Sequence, residues 1–91
     1  MSLSSKVAWV TGGGSGIGLA GALELARAGC RVVISGREAP KLDAAIEAAE
    51  RLGAPRGAIT AAALDVADAA AATATARAIE AEFGRVDILV N

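Results

Sequence analysis

A chain of 91 residues is one small domain at most, or a piece of a larger one. Its residues are 54% apolar but only 2% aromatic, so a core must be built from Ala, Val, Ile and Leu, as suits helices laid closely on a parallel sheet. A net charge of −1 with acids and bases interspersed speaks against a nucleic-acid surface or a polybasic membrane contact.

Cys30 is the only cysteine, which rules out an internal disulfide and fits a reducing cytoplasm. Its expected role is that of a small buried residue at the start of the second strand. The beginning does not read as a secretory leader, because Lys6 is followed by only four apolar residues before Thr11 and the glycines. The uncharged stretch over residues 7–23 is broken by glycines and hydroxyls and does not read as a membrane span. Residues 1–5 read as an N-terminal tail, such as an expression vector leaves, and residues 6–91 as the folded part.

The elements alternate along the chain. A first strand is predicted over Lys6 to Thr11, followed by a helix from about Ile17 to Ala28 that Gly29 closes. The β-branched run Arg31 to Ser35 is the second strand, ending at Gly36. A second helix is predicted from near Pro40 to Leu52, with Leu42, Ile46, Ala49 and Leu52 on its apolar face. Ala58 to Leu64 is the third strand, weakened by its alanines. Asp68 is a good N-cap for a third helix that runs through an alanine-rich stretch to Phe83 and stops at Gly84. Ile79 and Phe83, four apart, are expected to anchor that helix to the sheet. Val86 to Val90 is the fourth strand. The order βαβαβαβ implies right-handed crossovers and an α/β, doubly wound parallel sheet of the Rossmann type.

Between the first strand and the first helix lies Thr11-Gly12-Gly13-Gly14-Ser15-Gly16-Ile17-Gly18. Strand, glycine-rich turn and helix together present backbone N–H groups and a helix N-terminus to a phosphate. Side chains on such a turn would hold a diphosphate away from the main chain. An NTPase loop needs GxxxxGK[ST], and no lysine follows these glycines. A methyltransferase-like loop would have an acid where Thr11 stands. Gly16, Gly18 and Gly21 spell GxGxxG, but too far beyond the strand to carry weight.

The spacing that fits is TGxxxGxG, with Thr11, Gly12, Gly16 and Gly18 directly after a strand. It resembles the short-chain dehydrogenase/reductase family, in its compact single-domain branch rather than the extended branch with TGxxGxxG. The resemblance implies that Gly12 makes the turn, that Ser15, Gly16 and Ile17 line a pyrophosphate, that Gly14 also belongs to the cofactor site, and that Gly18 lets the first helix pack closely. It extends to three further places. About twenty residues on, at Ser35-Gly36-Arg37, the adenosine ribose is read. Gly36 stands in the usual place of an acid that would bond the 2′-OH of NAD, and Arg37 can pair with a 2′-phosphate while Ser35 adds a hydroxyl. NADP(H) is therefore expected, with NAD(H) the alternative that Glu38 keeps open. Leu64, Asp65 and Val66 resemble the family's adenine-contacting strand end. Asp87 to Asn91 resembles the start of its D-x-L-V-N-N-A-G segment, where Asp87 is structural and Asn91 steadies the sheet beside the cofactor.

The family's catalytic Ser, its YxxxK pair and a further Asn have no counterpart among these residues. There is no Tyr and no His, and neither Lys6 nor Lys41 is suitably placed. No catalytic residue and no metal site is assigned. The resemblance implies the cofactor-binding part of an NADP(H)-dependent oxidoreductase that moves hydride between nicotinamide and an alcohol or ketone. The full-length enzyme is expected to be a cytoplasmic homo-oligomer, dimer or tetramer, with no nucleic-acid or membrane partner. A four-stranded parallel sheet with an open edge at Val90-Asn91 fits an incomplete domain. The alternative is a non-catalytic dinucleotide-binding or redox-sensing module of the same fold.

Overall fold

A computed structural model describes residues 4–12, 14 and 16–91. The elements are β1 (Val7–Thr11), α1 (Gly16–Arg27), β2 (Arg31–Ser35), α2 (Ala39–Arg51), β3 (Ile59–Ala61), α3 (Ala69–Phe83) and β4 (Ile88–Val90). The sheet order is β3-β2-β1-β4, and all three pairings are parallel. The α/β doubly wound arrangement expected from the alternation of elements is the one observed.

β1 is hydrogen-bonded on both sides, with Ala8 opposite Val32 on one flank and opposite Ile88 on the other. Because strand side chains alternate, β1 and β2 feed two separate cores. Ala8, Val10, Val32 and Ile34 pack with Ala22 and Ala26 of α1 and with Leu42, Ala45 and Ala49 of α2. Val7, Trp9 and Val33 pack on the opposite face with Leu64 and with Ile79 of α3, where Phe83 also lies. The alanines on α1 and α2 let those helices approach the sheet closely, which the low aromatic content requires.

The helix ends follow from local chemistry. Gly29, at a φ of 104°, and Cys30 donate their N–H groups to the carbonyls of Ala26 and Leu25, so α1 stops at Arg27. Cys30 is buried as expected, and burial pushes its thiol pKa up. Asp68 caps α3 by accepting from the Ala71 N–H at 3.1 Å, and Gly84 closes it at a φ of 88°. Three expectations need correction. β3 is only Ile59–Ala61, because the alanine-rich segment leaves the ladder, although Ala62 and Leu64 still donate to Ile34 and Gly36. β4 starts at Ile88 rather than Val86. Leu52 is 62% exposed, past the end of α2, and Ala45 takes its place on the buried face. Among the described residues no helix is long and apolar enough to cross a membrane.

Asp87 clips β4 to β1. Its Oδ2 accepts from the Val7 N–H at 2.8 Å and from Arg85 Nε at 2.9 Å, while its own N–H donates to the Val7 carbonyl. The Val7 N–H, helped by the Arg85 and Lys6 charges, holds its carboxyl below the ordinary aspartate range. A carboxylate with a depressed folded pKa contributes stability above its unfolded value, and that contribution is lost as pH falls through the folded value. Asp87→Asn is therefore expected to lower the urea midpoint near neutral pH, with the gap closing below about pH 4. A gap of constant size across that range would contradict the role given to Asp87.

Candidate functional site

The sheet order creates the site. After β1 the chain moves outward through β2 and β3, then returns to the other flank of β1 as β4. The strand order thus reverses between β1 and β4, and the carboxyl ends of two such strands are where open α/β sheets bind ligands. Thr11 marks the spot: its hydroxyl donates to the Val90 carbonyl at 3.2 Å and lies 3.4 Å from Asn91 Oδ1. The segments that follow the carboxyl ends of β1, β2, β3 and β4 carry, respectively, the glycine loop, Arg37, Asp65-Val66 and Asn91.

The glycine loop turns at Gly12, which adopts a φ of 74° and donates its N–H to the Ser35 carbonyl at 2.8 Å. Gly14 sits against α2, where a methyl group would lie 3.6 Å from Leu42. Gly16 opens α1 without a positive φ, and a methyl group there would meet nothing within 4 Å among the described residues outside its own helix turn. Neither conformation nor internal packing therefore asks for glycine at position 16; open space above the backbone is what the residue provides. The first turn of α1 carries no acidic side chain to offset the positive end of its dipole. Ile17 in that turn is 92% exposed, and Gly18 is half-buried. Ser15 lies outside the described residues.

Beyond β2, Gly12, Gly14, Gly36, Arg37, Glu38, Lys41 and Leu42 line one hollow of about 210 Å³. Arg37 is thus brought beside the glycine loop, as the spacing predicts. A larger hollow of about 390 Å³ lies near the end of α2, but Glu47, Glu50, Arg51, Ala54 and Arg56 line it and no glycine backbone reaches it. Glu38 and Lys41 form a pair that the expected site did not include. Glu38 is the residue that precedes α2, yet its side chain does not cap the helix; its Oε2 lies 2.8 Å from Lys41 Nζ. That hydrogen bond lowers the Glu38 pKa and raises that of Lys41. The E-x-x-K spacing at a helix start was the available signal.

Other assigned residues separate. Leu64 is buried in the Val7-Trp9 core, whereas Val66 is 55% exposed. Asp65 accepts from the Ala67 N–H at 2.9 Å and shapes the turn into α3. Ser35 is a correction. Its side chain is 0% exposed, and its hydroxyl accepts the Trp9 indole N–H at 2.9 Å. Alternation along β2 places Ser35 on the same face as Val33, inside the sheet, so its hydroxyl is not available to an outside phosphate. Among the described residues no three His, Cys, Asp or Glu side chains are grouped to hold a metal.

Comparison with known proteins agrees with this geometry. The family model described as short chain dehydrogenase matches residues 6–91. The chain belongs to the short-chain dehydrogenase family. D-threitol dehydrogenase of Mycolicibacterium smegmatis is 49% identical over 89 residues, which are 98% of this chain and 33% of that protein. Glucose dehydrogenase of Caenorhabditis elegans in its apo-form superposes with a TM-score of 0.88 at 33% identity, over 100% of this chain and 38% of that one. L-sorbose reductase from Gluconobacter frateurii, complexed with NADPH and L-sorbose, gives a TM-score of 0.85 at 36% identity, over 100% of this chain and 34% of that one. This short-chain dehydrogenase chain spans about a third of the length of the curated relatives it matches.

The burial of Ser35 generates a test. Ser35→Ala leaves the Trp9 indole N–H buried without its acceptor, which is expected to cost about 1–3 kcal/mol of stability in urea denaturation. NADP⁺ affinity should change by less than about two-fold, well under the 1.4 kcal/mol that a ten-fold change represents. A selective loss of NADP⁺ affinity at unchanged stability would return Ser35 to the ligand site.

Proposed function

We propose that this chain is the cofactor-binding part of an NADP(H)-dependent short-chain oxidoreductase acting on an alcohol or ketone. One observation carries the reading: the glycine loop and Arg37 line the same hollow, with Gly36 where an acid would select NAD. The Glu38 carboxylate, which could have served as that acid, is held by Lys41. The hollow is therefore lined by two cations and one carboxylate, an excess of positive charge suited to a 2′-phosphate.

The chain's backbone fits a dinucleotide. The diphosphate would lie over Gly16 and against the amino end of α1, where no described residue outside that helix turn stands within 4 Å of a methyl group placed on Gly16. The adenine would rest near Asp65 and the exposed Val66, and Asn91 would hold the β1–β4 junction through Thr11. When bound, the nicotinamide supplies or accepts hydride. The residues of this chain bind and orient the cofactor, and residues beyond them supply proton transfer. Residues 6–91 are on this reading the first part of a longer Rossmann domain, in keeping with the third of their length that the relatives share.

Two substitutions in the full-length protein test the proposal. Arg37→Asp is expected to weaken NADP⁺ binding by about 1.5–3 kcal/mol with a much smaller effect on NAD⁺, the scale of a charge-assisted contact. Equal losses for both cofactors in titration calorimetry would remove Arg37 from 2′-phosphate recognition. Gly16→Val puts a branched side chain where the diphosphate must lie and should abolish binding of both cofactors while circular dichroism stays near that of the parent. Unchanged nicotinamide fluorescence titration would refute the pyrophosphate position.

A further inference from the structure

Arg37, Glu38 and Lys41 surround one opening, and their order matters. Glu38 directly follows Arg37, so an unpaired carboxylate there would offset the guanidinium and repel a phosphate brought to it. Lys41 Nζ sits 2.8 Å from Glu38 Oε2, one helical turn along, and both side chains are mostly exposed, at 71% and 63%. No side-chain cap bond competes for the Glu38 carboxylate. A second hollow, of about 410 Å³, is lined among the described residues by Arg37 and Glu38, so a group approaching Arg37 meets Glu38 as well.

We infer that Lys41 is a positioning residue for cofactor choice: by holding the Glu38 carboxylate it lets Arg37 accept a 2′-phosphate. The inference rests on the NADP(H) reading above and adds to it a residue that acts through Glu38 rather than on the ligand. Glu38 is then the adverse charge and Lys41 its counter-ion. The effect is electrostatic and exposed, so it weakens as ionic strength rises.

The test is titration calorimetry of the full-length protein with NADP⁺ and NAD⁺, for Lys41→Ala, Lys41→Arg, Glu38→Gln and the double variant Glu38→Gln/Lys41→Ala. Lys41→Ala is expected to weaken NADP⁺ binding about three- to ten-fold, and NAD⁺ binding less than about two-fold. Lys41→Arg should restore NADP⁺ affinity. In the Glu38→Gln background, removal of Lys41 should cost less than about two-fold, because no carboxylate remains to be held. A Lys41→Ala loss of equal size with and without Glu38 overturns the inference, since Lys41 would then act on the ligand directly. So does an absent loss, or one shared equally by both cofactors. If the unaltered protein instead holds NAD⁺ more tightly than NADP⁺, the underlying reading fails, a result distinct from all of these.

Discussion

β1 is paired on both flanks and covered on both faces, and every other placement follows from that constraint. Val7, Ala8, Trp9 and Val10 are all buried, with Ala8 and Val10 turned to one core and Val7 and Trp9 to the other. A strand with no solvent face has no freedom of register, because a slip of one residue would exchange the two sets of side chains. Ladders to β2 and β4 hold it laterally, and the Asp87 carboxylate fixes its first N–H. What emerges at its carboxyl end is therefore a loop on a rigid base, at the point where the strand order reverses.

The site has two parts of different physical character. The loop and the amino end of α1 offer backbone groups, an open face over Gly16 and a helix dipole, none of which needs a side chain. The Arg37 side adds charge. The proposed selectivity would depend on a balance among exposed groups, where single interactions are weak and a neighbouring carboxylate counts as much as the guanidinium. On the proposed reading, backbone geometry would let the edge take a diphosphate, and charge on the β2–α2 connection would distinguish one dinucleotide from another.

Most of the fold was legible in the chain because its cues are local. β-branched runs mark β1 and β2, Asp68 and Gly84 bracket α3, and the glycine spacing places the loop. The shortfalls have a common origin in tertiary contacts. Ser35 looks polar and close to Arg37, yet it sits one pleat away on the inner face, where Trp9 needs an acceptor; the partner comes from a neighbouring strand. Strict alternation from Val33 would have placed it inward, but not named the indole. Leu52 fits the apolar spacing of α2, but the helix ends at Arg51 and leaves it outside the core. Lys41 does not fit the family's YxxxK pair, and its i,i+3 relation to Glu38 is visible in the chain as spacing, whereas the ion pair itself depends on α2 starting at Ala39.

We propose that the carboxyl edge at the β1–β4 switch, together with the β2–α2 connection, receives NADP(H). Amide chemical-shift mapping of the full-length protein during NADP⁺ titration tests it most directly. The largest shifts are expected at residues 12–18 and 36–41, with smaller ones at Asp65, Val66 and Asn91. With NAD⁺ the perturbation at residues 36–41 should shrink while that of the glycine loop persists. Shifts centred instead on Glu47, Arg51 and Arg56 beside the larger hollow, with the glycine loop unmoved, would contradict it.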